Sequence, residues 1–177
     1  WRRHVPAVLM LLALAGMVAA IAHPVRDKRV PRERATIIVA IDTSLSMEAQ
    51  DVKPNRLEAA KDAAKRFLEI LPERINVGLV TFNGTAQVRV APTRDRDQIR
   101  TAIDQMRLGE RTAIGEAIFA SLDAIKTSAA SNGQGKVPAR VVLMSDGETT
   151  TGRPDLQAAA AAKKAKVPVS TISFGTP

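Results

Sequence analysis

The sequence predicts an α/β fold: a Rossmann-like, doubly wound, mainly parallel sheet with one antiparallel edge strand, preceded by an N-terminal transmembrane helix. Three observations carry that prediction. Short apolar runs at residues 37–41, 75–82 and 141–144 read as strands buried on both faces. Amphipathic stretches of helical period separate them, and strands alternating with helices imply parallel pairing under helical layers. Asn83-Gly84 lies between two strand-like runs, and that dipeptide is a strong hairpin signal, so one pair is antiparallel.

The chain opens with residues 5–22, apolar and without charge. About 18 residues is the lower end of what a helix needs to cross a bilayer. Trp1, Arg2 and Arg3 precede the run, and Arg26, Lys28, Arg29, Arg32 and Arg34 follow it. Such flanks suit interfacial anchoring and anionic lipid. The sequence therefore predicts a transmembrane helix with a basic flank over residues 1–23, a basic juxtamembrane linker over 24–34 and a globular domain over 35–177. The competing reading of the first stretch is a signal peptide cleaved near Ala19–Ala22. Taken alone, the basic C-terminal flank would place the domain in the cytoplasm.

Within the domain, residues 54–71 form a helix with Pro54 near its first turn. Leu57, Ala60, Ala64, Phe67, Leu68 and Leu71 make its apolar face. The strand over 75–82 turns at Asn83-Gly84 into a partner over 86–90. Asp95 caps a helix whose Ile99, Ile103 and Met106 face inward. A second helix runs from Thr112 to about residue 130, with Ile114, Ala117, Ile118, Leu122 and Ile125 inside. Residues 131–138 are a loop, 140–145 a strand, and Asp146-Gly147 a turn. An alanine-rich helix from Asp155 to about Lys166 and a strand over 167–174 complete the order.

Composition narrows the chemistry. With no Cys, disulfides, thiolate metal sites and Cys nucleophiles are excluded. The two histidines, His4 and His23, precede the domain, which removes Ser-His-Asp triads and most zinc sites. Lys+Arg of 26 against Asp+Glu of 18 gives a net charge of +8. Much of that excess flanks the apolar segment, and aromatics are only 3%. No stacking platform for nucleic acid is visible, so no nucleic-acid partner is expected.

Asp42, Ser44 and Ser46 sit at alternate positions where the run over 37–41 ends, so their oxygens leave the backbone on one side. Asp146 sits at the carboxyl end of a second predicted strand. In open parallel sheets ligands bind outside the carboxyl ends of the strands. If the two strands are neighbours, both carboxylates face one crevice, and Thr112, opening a helix, can reach it. Taken singly, each residue has an ordinary turn or cap role. Together they supply five oxygen donors, which suits a hard divalent cation such as Mg²⁺ with a coordination position left for a partner's carboxylate.

The run Asp42-Thr43-Ser44-Leu45-Ser46-Met47 is similar to the DxSxS motif of von Willebrand factor type A (VWA) domains. Thr112 in Arg111-Thr112-Ala113-Ile114-Gly115 and Asp146 in Met144-Ser145-Asp146-Gly147 resemble the family's later threonine and aspartate. All five positions of its metal-ion-dependent adhesion site are therefore present. The N-terminal segment, the basic linker and the closing residues 171–177 resemble bacterial membrane-anchored VWA proteins of the aerotolerance (Bat) type, often encoded beside MoxR-class AAA+ ATPases. The resemblance implies a Mg²⁺ or Mn²⁺ ion and a protein partner offering an Asp or Glu to it. It also implies association with a MoxR-type ATPase or other membrane VWA proteins, and a domain on the extracytoplasmic face of the cell membrane. The family has a further strand and helix beyond the position of Pro177, so a truncated C-terminus and one uncovered sheet edge are expected. Many members carry Gly where this chain has Leu45, so the loop must use ordinary backbone angles or bury that side chain.

The competing function is a Mg²⁺-dependent phosphohydrolase on a Rossmann-like sheet. Haloacid-dehalogenase phosphatases follow the strand-end Asp with a second Asp two residues later. Here that residue is Ser44, so general acid catalysis lacks its group. No G-x-G-x-x-G or G-x-x-x-x-G-K-[ST] occurs. The expectation is a binding module, not an enzyme. Glu148 and Asp51 are near enough to stand behind the site, although each also reads as a solvated loop residue.

Overall fold

The computed structural model describes residues 4–21, 35–131, 137–147 and 149–175. Trp1–Arg32 and Glu33–Pro177 form two compact units. In the first, the helix α1 covers Val5–Ile21, 17 residues. At 1.5 Å per residue that is about 25 Å, against about 30 Å of bilayer hydrocarbon. Among the described residues no helix is long and apolar enough to cross a membrane, and the predicted transmembrane helix is not shown. The linker predicted over 24–34 lies outside the described residues.

In the second unit the elements follow in the order β1 (Thr36–Asp42), a 3₁₀ turn (Leu45–Glu48), α2 (Arg56–Ile70), β2 (Asn76–Phe82), β3 (Ala86–Thr93), α3 (Arg96–Asp104), α4 (Ile114–Ser131), β4 (Ala139–Ser145), α5 (Asp155–Ala165) and β5 (Val169–Ser173). The sheet order is β3-β2-β1-β4-β5. β1 is central and pairs in parallel with β2 and β4. β4 pairs in parallel with β5, and β3 runs antiparallel at the edge. The chain builds outward from β1 to β3, then crosses back to β4. That reversal places the topological switch point between β1 and β4, where doubly wound sheets open a binding crevice.

Two cores sandwich the sheet. Val39 and Ile41 of β1 pack with Leu57 and Leu68 of α2 and Ile99 and Ile103 of α3. Ile38 and Ala40 face the other way, onto Ala117, Ile118 and Leu122 of α4 and Ala158 and Ala162 of α5. The alternation along β1 explains why its sequence is apolar without interruption: both faces are covered. The uncovered-edge expectation meets β5, an edge strand whose Ile172 stays exposed.

Local signals mostly act as expected. Asp95 caps α3 by accepting from the Asp97 and Gln98 amides. The cap of α2 is Asn55, which accepts from the Glu58 amide, and the helix starts after Pro54. The hairpin forms, but not through left-handed residues at Asn83-Gly84, since neither is among the positive-φ positions. Instead Asn83 Oδ1 accepts from the Thr85 amide, and the Gly84 amide donates to Glu110 O at 2.8 Å. The turn is held from outside by the loop after α3.

Candidate metal centre

β1 delivers Asp42 to the carboxyl edge of the sheet with no solvent exposure. Its Oδ1 accepts from the Ser44 amide at 2.8 Å, and its Oδ2 accepts from Ser145 Oγ at 2.6 Å. Ser145 closes β4, so the two neighbouring strands meet at this carboxylate. Burial pushes the Asp42 carboxyl above its usual value; hydrogen bonds from Ser145 and Ser44 oppose that, and the nearby Asp146 charge adds to it. Ser145 was not expected from the sequence. Its signal was a hydroxyl ending an otherwise apolar strand.

Beyond Asp42 the chain folds into the 3₁₀ turn. Met47, with no exposure, anchors that turn in the core below. The turn brings Ser44 Oγ and Ser46 Oγ to 2.9 Å, and Ser46 Oγ donates to Asp146 Oδ1 at 2.9 Å. Leu45 takes ordinary negative φ and leaves its side chain 52% exposed. The first of the two alternatives for this residue therefore holds, and an apolar side chain stands at the rim of the site.

The Asp146 side chain is wholly covered, in part by Arg56, whose Nη1 donates to Oδ2 at 2.6 Å. Arg56 also takes both oxygens of Asp51 at 2.7 Å. Asp51 therefore stands behind the site through an arginine that no local pattern announced. The hydrogen bonds to Asp51, then to Asp146, raise the Arg56 pKa further above its usual value. Glu148 lies outside the described residues.

Thr112 does not start a helix; α4 begins at Ile114. Its amide donates to Thr150 Oγ1 at 2.9 Å, and its carbonyl accepts from the Thr150 and Thr151 amides. Arg111 before it sits at φ 66, a left-handed angle that costs an L-residue energy. The preceding loop is stitched to the Asp42 segment: the Gly109 amide donates to Thr43 O at 2.7 Å, and Gly109 bridges Ser44. The structure thus joins Asp42, Ser44, Ser46 and Asp146 through direct hydrogen bonds or shared partners. Thr112 is held three residues beyond the bridge, and among the described residues its hydroxyl has no hydrogen-bond partner.

The fold that carries this site, a mainly parallel sheet with a switch point between β1 and β4, agrees with comparison to known proteins. Residues 37–148 match the von Willebrand factor type A domain. The chain belongs to that family. VWA domains are generally protein-interaction modules. The chain is 52% identical to a UPF0353 protein of Mycolicibacterium gilvum over 99% of its own length and 55% of the relative's. It thus spans about half the length of the curated relatives it matches. Among solved structures it is similar to BatB of Bacteroides thetaiotaomicron, at 31% identity and a TM-score of 0.71, over 81% of this chain and 68% of that one. An aerotolerance-related membrane protein of Bacteroides fragilis matches at 27% identity with the same TM-score, over 81% of this chain and 69% of its own.

The donor set fits a hard divalent cation. Among the described residues no group of three or more His, Cys, Asp and Glu is placed to hold a metal. A site of two carboxylates and three hydroxyls does not need one, because Mg²⁺ accepts neutral oxygens and retains waters. Asp42 is buried with only neutral hydrogen-bond donors among the described residues, so its charge is one that a cation would relieve.

Proposed function

We propose that this VWA domain binds Mg²⁺ or Mn²⁺ through Ser44, Ser46, Thr112, Asp42 and Asp146, and through that ion holds an acidic residue of a protein partner. The observation that carries this reading is the hydrogen-bonded run Ser44–Ser46–Asp146 over a buried Asp42, built where β1 and β4 separate. When bound, the ion supplies a charged coordination position for a carboxylate. The protein's own part is orientation. Ser145 and the Ser44 amide fix Asp42, Met47 anchors the turn carrying Ser46, and Arg56 fixes Asp146. No residue is assigned to bond breaking.

The helix α1 carries no charge and leaves Leu9, Met10 and Leu11 exposed, which supports association with a membrane. The membrane protein of B. fragilis named above agrees with that placement. Resemblance to the aerotolerance group extends the proposal to a domain outside the cytoplasmic face and to a MoxR-type AAA+ ATPase or another membrane VWA protein as partner.

Titration calorimetry of the chain with Mg²⁺ and Mn²⁺ tests the centre. Wild type should bind one ion, and Asp42→Ala should weaken binding about 100-fold, as loss of a metal-site group does. No binding by wild type, or equal binding by the variant, would sink the reading. Turnover of a phosphate ester that Asp42→Ala abolishes would replace it with an enzyme.

A further inference from the structure

A cleft of about 740 Å³ lies beside the metal centre, and Thr43, between Asp42 and Ser44, forms part of its wall. Its floor is the end of the β2–β3 hairpin, with Thr81 and Arg89 among the lining side chains. The segment following α3 supplies Gln105, Met106 and Arg107. Met106 is the one large apolar side chain in the lining, and it is itself buried. The cleft therefore offers little to an apolar ligand. It has no aromatic residue on which a base could stack.

Charge decides what it takes. Three ionisable side chains line it: Arg89, Arg107 and Asp104. Asp104 is already paired with Lys65. Arg89 and Arg107 are both exposed, and among the described residues neither has an ion-pair or hydrogen-bond partner. Two forked cations without carboxylates, surrounded by amides and hydroxyls, match a planar anion on a polar chain. The walls are fixed in advance. Gly84 donates to Glu110 O, Gly109 donates to Thr43 O, and Thr43 Oγ1 donates to Phe82 O at 3.0 Å. A preformed wall lowers the entropy lost on binding.

We propose that this cleft is a second anchor for the same acidic partner: an extended peptide segment that gives one carboxylate to the metal and another to Arg89 and Arg107. The inference rests on the metal-dependent reading above for its first anchor and on the cleft alone for its second. Linking two weak carboxylate contacts through one backbone makes the second contact intramolecular, so a segment with two acids is selected over one with a single acid. A lone surface acid would gain little from the exposed arginines by themselves.

The test uses the full chain in detergent micelles and fluorescein-labelled, end-capped Gly/Ser peptides carrying one Glu, or two Glu about two to six residues apart. Anisotropy is read with Mg²⁺ and with EDTA. The best two-Glu peptide should bind about tenfold tighter than the one-Glu peptide in Mg²⁺. In the double variant Arg89→Ala/Arg107→Ala the gain should vanish, while Mg²⁺ affinity by calorimetry stays unchanged. Equal binding of the two peptide types, or a gain that survives the double variant, overturns the second anchor. Arginine-dependent binding that EDTA leaves untouched supports the cleft and rejects the metal reading, so the two failures are distinguishable.

Discussion

Arg56 and Arg153 each take both oxygens of a carboxylate, and their surroundings separate site from scaffold. Arg56, in the first turn of α2, spans Asp51 and Asp146. Arg153, before α5, takes both oxygens of Glu116 in α4 and lies 3.6 Å over the Phe119 ring. The Asp146 side chain has no exposure, whereas Glu116 keeps 28%. Asp146 also accepts from Ser46 and adds its charge to the field at Asp42. Glu116 faces only framework: the Arg153 amide donates to it as well, fastening α4 to the loop before α5. The same pair of functional groups thus tunes a charge cluster in one place and closes a packing joint in the other.

Glycines beside the two pairs give the largest expected contrast. A Cβ on Gly115 would lie 2.1 Å from the Arg153 carbonyl oxygen, a backbone atom that cannot rotate away. Gly115→Ala should cost about 1–3 kcal/mol by forcing α4 off that loop, with Mg²⁺ affinity unchanged. Gly147, next to Asp146, has nothing within 4 Å of the same atom. Gly147→Ala should stay within about 0.5 kcal/mol of wild type. Urea unfolding of both variants checks this, and equal losses would erase the distinction between a packed joint and an open rim.

This contrast bears on what the sequence could disclose. The buried strand ending in Asp42, Ser44 and Ser46 was legible because its signals are local: an apolar run, then period-two oxygens. The adjacency of β1 and β4 enters the sequence reading only as a condition, and the sheet order supplies it. Arg56 was not legible, since its bond to Asp146 spans 90 residues and its sequence position marks only a helix start. In the sequence Thr112 reads as a helix start because Thr is a common cap. In the structure the Thr150 hydroxyl takes its amide, and the helix starts two residues later. The hairpin was right in place but not in mechanism, because its amide at Gly84 is satisfied by Glu110, 26 residues on.

A middle-sized effect should separate the arginines themselves. Arg56 places a fixed positive charge against one of the two acids proposed to hold the ion. Removing it leaves the acids under-compensated and vacates a competing cation. Arg56→Ala should therefore tighten Mg²⁺ binding about fivefold at low ionic strength, with the gain fading as salt rises. Its melting temperature should fall in EDTA and recover with Mg²⁺, because ligand binding to the folded state adds stability. Arg153→Ala should leave Mg²⁺ affinity unchanged, and Mg²⁺ should not close its melting gap to wild type. Calorimetry and melting curves on both variants decide it, and an Mg²⁺ affinity that Arg56→Ala leaves unchanged would remove Arg56 from the charge cluster.

The smallest effect is a pH response of the scaffold pair. The Arg153 side chain, then desolvation in the opposite sense and the Arg153 amide, set the Glu116 carboxyl below its ordinary 4.5. A carboxylate whose folded value is depressed contributes stability above the unfolded value and loses it as pH falls through the folded one. Glu116→Gln should thus melt below wild type at neutral pH, and the gap should close as the pH drops under about 4.5. The pair is part-exposed, so salt should shrink the gap too. Melting curves across that range, in EDTA to silence the metal centre, read the pair alone. A gap that stays constant into acid would mean that Glu116 acts through packing on Arg153 and Phe119 and not through its charge.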